Sequence, residues 1–160
     1  MQSKRRLVLP ILSIWLVAGT LDITENLVFN QFRGISPWRV FQYVASGLIG
    51  MKSFRMGWNS VALGVALHYV IALTWTLIFY FAALRFAGLT RRPFLSGVIY
   101  GCLVYVIMNF VVLPWSGVPH PVAAITTASK VNAVLALVFC IGLPISFLTH
   151  KALGGNSGQI

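Results

Sequence analysis

Residues 61–84 read VALGVALHYVIALTWTLIFYFAAL, 24 consecutive positions without an Asp, Glu, Lys or Arg. As an α-helix rising 1.5 Å per residue the stretch reaches ~36 Å, enough to cross a ~30 Å hydrocarbon core with some tilt. The remainder of the chain has the same character. Of 160 residues, 58% are hydrophobic and 9% charged, against about 25% charged in a soluble domain. That deficit excludes an ordinary soluble globule and leaves lipid as the solvent.

Three further runs have spanning length: Leu7 to Phe32, Phe94 to Leu113 and Ala123 to Thr149. The first follows the basic start Lys4-Arg5-Arg6, and with Val17-Ala18-Gly19 it imitates a signal peptide. Apolarity resumes at Leu27-Val28-Phe29, past the would-be cleavage site, which favours a retained span. Pro144 lies inside the fourth run and is expected to kink the helix near Cys140. Gly97 and Gly101 in the third form GxxxG, a pattern that permits close helix packing.

Between the first two spans, Ser36-Pro37 reads as an N-cap followed by proline at the first helical position. A helix over 37–49 would reach only ~20 Å, too short to cross. Val40, Phe41, Val44 and Leu48 form its apolar stripe, with Arg39, Gln42 and Ser46 largely elsewhere around the wheel. This predicts an interfacial or re-entrant helix, followed by a polar hinge from Gly50 to Asn59. The third and fourth spans are joined by an uncharged connection containing Pro114, Gly117, Pro119 and Pro121. The expected fold is therefore an all-α membrane protein: one domain over 1–153 with four transmembrane helices and a short interfacial helix, then a flexible tail over 154–160.

The net charge of +10 would suggest nucleic acid in a soluble protein. Here the basic residues flank the apolar runs, where they meet lipid headgroups, and no nucleic acid partner is expected. With the N-terminus inside, Lys4, Arg5, Arg6, Arg85, Arg91, Arg92 and Lys151 fall on the cytoplasmic side, and Arg33, Arg39, Lys52 and Arg55 on the other. Seven against four favours cytoplasmic termini. Lys130 alone falls within a run. Cys102 and Cys140 lack metal or disulfide spacing and read as small packing residues.

The chain's only acids, Asp22 and Glu25, lie three residues apart in the first span, on one side of the helix. An acid in hydrocarbon costs about 2.5–3.5 kcal/mol or more, so this stripe, widened by Asn26 and Asn30, must face the bundle interior or water. Gly19 beside it leaves room for a close neighbour, and Gly64, His68, Ala72 and Thr76 follow one narrow face of the second span. In an alternating bundle Glu25, His68, Asn109 and Lys130 share a depth of ~6–11 Å below the outer edge, with Asp22 one turn deeper.

That predicted layer admits four uses: a satisfied network fixing helix register, a proton or ion pathway, a site for an amphipathic small molecule, lipid or membrane partner, or a metal or haem site. No HExxH or paired-His spacing supports the last, and neither Ser46 nor Ser60 sits in a nucleophile elbow. No catalytic residue and no particular cofactor is indicated.

Several stretches together carry a resemblance: Ala18-Gly19-Thr20-Leu21-Asp22-Ile23, Ser36-Pro37, Ala45-Ser46-Gly47-Leu48-Ile49-Gly50, Leu67-His68, Tyr105, Met108-Asn109 and Gly142-Leu143-Pro144-Ile145. Over roughly residues 15–148 the chain resembles a group of small, uncharacterised bacterial four-span inner-membrane proteins, and more distantly the YagU-like family. The resemblance implies the fold and a bacterial inner membrane, and supplies no activity.

Overall fold

The structure, a computed structural model, describes residues 2–119 and 126–154, with side chains described from residue 8 onward. Pro121, the start of the fourth span at Ala123, the tail over 155–160 and the side chains of Lys4, Arg5 and Arg6 lie outside the described part. Every regular element in that part is helical. In chain order these are α1 (Gln2–Phe32), α2 (Pro37–Ile49), a 3-10 helix (Gly50–Arg55), α3 (Trp58–Arg85), the single turn α4 (Gly88–Arg91), α5 (Pro93–Trp115) and α6 (Thr127–Gly154).

Four of them, α1 from Val8, α3, α5 and α6, are long and apolar enough to cross a membrane. Only 22–33% of each apolar stretch is buried, so most of their Leu, Ile, Val and Phe side chains point outward. In water such continuous apolar surface would drive aggregation; in hydrocarbon it meets its own kind. The protein is accordingly a multi-pass membrane protein.

Small residues draw the helices together, because in lipid close packing replaces the hydrophobic drive between them. Gly19 of α1 lets Ala72 and Tyr69 of α3 approach, with a Cβ there only 3.2 Å from both. A Cβ on Gly64 of α3 would strike the Phe41 carbonyl of α2, and one on Gly142 of α6 would strike the Gly97 carbonyl of α5. The GxxxG pair of α5 thus meets the glycine of Gly142-Leu143-Pro144, and Gly101 packs on Val138. Trp15 Nε1 donates to the Tyr69 carbonyl at 2.7 Å, and Tyr100 Oη donates to the Trp75 carbonyl at 2.6 Å. The core joins Ile14 and Ala18 of α1, Phe79 and Tyr80 of α3, Tyr100 of α5 and Ile145 of α6.

The helices alternate in direction. At one end, here the upper, Gly117 N–H after α5 donates to Gly47 O of α2 at 2.8 Å. At the lower end Ser146 of α6 donates to Pro93 O at the start of α5 at 2.8 Å, and Leu89 packs with Leu153 against the core. Phe32, Trp58 and Trp115, each more than three-quarters exposed, surround the upper end as an interfacial aromatic belt.

Two details depart from the sequence expectation. In α2 the buried face is partly polar: Gln42, Ala45 and Ser46 are buried beside Val40, whereas Leu48 of the expected stripe faces outward. Phe41 and Val44 are only half-buried. Small and polar side chains permit contact with α3, and apolar ones are left to the lipid. The Gly50–Asn59 hinge is also largely ordered, its first six residues forming the 3-10 helix with Ser53 fully buried.

Near Cys140, where proline is expected to disturb the helix, the backbone forms a π-helix over Leu137–Gly142, immediately before Leu143-Pro144. A second π-helix, Met108–Val112, precedes Leu113-Pro114 in α5. Proline lacks the N–H and its ring crowds the carbonyl four residues back. Widening the preceding turn relieves that clash, and the N–H of Leu113 and Leu143 bond five residues back, to Met108 O and Val138 O.

Candidate functional site

α1 lies between α3 and α6, and both acids project into that junction. Glu25 reaches α6, where Asn132 Nδ2 donates to Glu25 Oε1 at 2.9 Å. The other oxygen, Oε2, is sealed from solvent and has no hydrogen-bond partner among the described residues. One turn below, Asp22 is half-buried and lies within electrostatic range of His68 and Glu25.

His68 is buried and bonds through Nε2 to the Gly19 carbonyl at 2.8 Å. A carbonyl only accepts, so Nε2 carries the hydrogen, which fixes the ring's orientation toward α1. This bond depends on Gly19, whose missing side chain lets the Ala72 and Tyr69 side chains of α3 close in. Tyr69, beside His68, packs edge-on against Trp15 and shares a 3.1 Å hydrogen bond with Thr20. The imidazole is therefore set by contacts on both sides of the α1–α3 seam.

The single layer expected from depth is thus divided. Glu25 meets Asn132 of α6 and His68 is tied to α1 at Gly19 O, with Asp22 between these two points along α1. Asn109 does not: its amide donates to Tyr105 O at 2.9 Å, within its own helix. Asn26 is exposed and accepts from Asn30 through both its side chain and its backbone carbonyl. Lys130 is exposed in a groove between α5 and α6 and does not pair with Glu25, whose oxygens are one on Asn132 and one unpartnered. Lys130 and Asn132 are two residues apart, roughly 200° around a helix, so both cannot face α1.

Chemically the junction offers hydrogen-bond acceptors and negative charge between apolar walls. Among the described residues no three His, Cys, Asp or Glu side chains converge as a metal-ligand set. The hydroxyls of Ser46 and Ser60 are bound to their own helices, at Tyr43 O and Gly57 O, and are not aligned with His68. Comparison of the chain with protein-family models, characterised proteins and solved structures finds no match.

Proposed function

We propose that this integral membrane protein binds an amphipathic molecule at the junction of α1, α3 and α6, with a cationic head on Glu25 and an apolar body among the helices. The observation that carries the reading is Glu25 Oε2, enclosed and without a partner while its twin oxygen is held by Asn132. A buried acceptor left unpaired costs about 1–3 kcal/mol, more when charged, and intramembrane acids belong by default to functional sites. Apolar walls around few polar anchors are the usual make-up of a small-molecule site. The basic residues, seven against four, and the resemblance to four-span bacterial proteins support an inner-membrane location with cytoplasmic termini.

The test is binding of dodecylammonium to the purified protein in nanodiscs, with dodecyl alcohol as the uncharged control. The ammonium should bind roughly tenfold more weakly to Glu25→Gln, the loss of one charge-assisted bond, while the alcohol is unaffected. Equal affinity of the ammonium for both proteins rules the reading out.

A second reading, a proton or ion pathway, draws on one observation. In the lower half of α6 the Thr149 hydroxyl is also buried without a partner, and Thr76 and Ser146 are fully buried. Polar groups thus continue below the acids. Proton flux into liposomes that is the same for wild type and Glu25→Gln would count against a Glu25 relay.

A further inference from the structure

Lys130 is the basic residue that the junction does not use. It stands in the first turn of α6, about 5 Å below the helix start, on the side turned away from Asn132 and α1. There it lines a groove of about 260 Å³ with Tyr105 of α5 and Val131, Val134 and Leu135 of α6. The groove is otherwise apolar and lies on the outer surface of the bundle, with Val131 and Leu135 about half exposed. The chain has two acidic side chains, and the nearer in sequence, Glu25, makes no ion pair with Lys130. An ammonium at the top of an apolar channel within a membrane span therefore lacks a counter-charge from Glu25.

We propose that this groove binds one anionic phospholipid, its phosphate on the Lys130 ammonium and one acyl chain along Val131, Val134 and Leu135. The groove opens toward hydrocarbon, so its occupant arrives from within the bilayer, and the lone cation selects an anionic head. A phospholipid carries that charge directly above its acyl chains, matching the order of Lys130 and the apolar residues along α6. The long lysine side chain extends its charge toward the headgroup level while its methylenes stay in the apolar region. The proposal is independent of the Glu25 site, which lies on the opposite side of α6.

The experiment reconstitutes the full chain in phosphatidylcholine vesicles containing a trace of phosphatidylglycerol with a diazirine on one acyl chain, and maps the photo-crosslinks by peptide mass spectrometry. Crosslinks should concentrate on Val131–Leu135, fall about fivefold in Lys130→Gln, the effect of one basic residue at an anionic surface, and persist in Lys130→Arg. Filling the groove by Val134→Trp should remove them with Lys130 in place. Should Lys130→Gln fail to fold, the wild-type protein still decides, because a diazirine phosphatidylcholine must label the groove about fivefold less. Equal labelling by the two lipids overturns the proposal. So does labelling by a diazirine fatty acid but not by the phosphatidylglycerol, or burial of the groove against a second protein chain.

Discussion

Glu25 is held by one of its two oxygens, and that asymmetry makes separate claims about stability and binding. Replacing Asn132 by Leu removes the one bond and leaves the whole carboxylate unpartnered, so Asn132→Leu should lower stability by about 1–3 kcal/mol, read from unfolding in mixed micelles of increasing SDS fraction. Glu25→Leu in the same background should restore much of that loss, since removing both partners leaves nothing unpaired. Full stability of Asn132→Leu alone would mean the bond contributes little. The two acids were legible in the sequence because they are the only acidic side chains and stand inside a span. Asn132 was not, because α6 is apolar on its buried and lipid faces alike, so nothing in its pattern gave its rotation. Lys130, the charged residue two positions away, faces elsewhere.

Among the elements, glycines act as spacers, and their substitutions should separate sharply. Gly142→Ala places a methyl against the Gly97 carbonyl, backbone against backbone, and should destabilise by about 3 kcal/mol or more by the same SDS titration. Gly88→Ala, with nothing within 4 Å, should stay within about 0.5 kcal/mol of wild type. Comparable effects at the two sites would contradict the close crossing of α5 and α6. The GxxxG of α5 was readable as a packing motif, but its partner was not, since a single glycine before Leu143-Pro144 carries no pairing signal. The polar part of the buried face of α2 was hidden for a related reason. An amphipathic wheel is conventionally read with apolar residues inward, whereas close helix contact in lipid favours small and polar ones.

For the molecule as a whole, four apolar runs and one short helix were legible from length alone, because bilayer thickness sets a length scale that few other features imitate. The alternating course of the helices makes a direct claim about sidedness. In a background with Cys102 and Cys140 replaced by alanine, a cysteine at Ile35 and one at Gly88 should react with a membrane-impermeant maleimide from opposite sides of sealed vesicles. In right-side-out vesicles the orientation proposed above has the cysteine at Ile35 react and the one at Gly88 stay protected. Labelling of both from the same side would contradict the alternation.

Glu25 and its partner Asn132 are 107 residues apart in the chain. At about 5–20 residues per second of synthesis, α1 leaves the ribosome on the order of 5–20 s before Asn132 exists. Throughout that interval the first helix carries two acids into the membrane with no α6 to receive them. Nascent chains arrested while Asn132 is still inside the ribosome should therefore remain beside the insertion machinery or be degraded, and chains lengthened by a linker so that α6 has emerged should be released into the bilayer. α6 thus licenses α1, and protease resistance of arrested chains of increasing length would show the step.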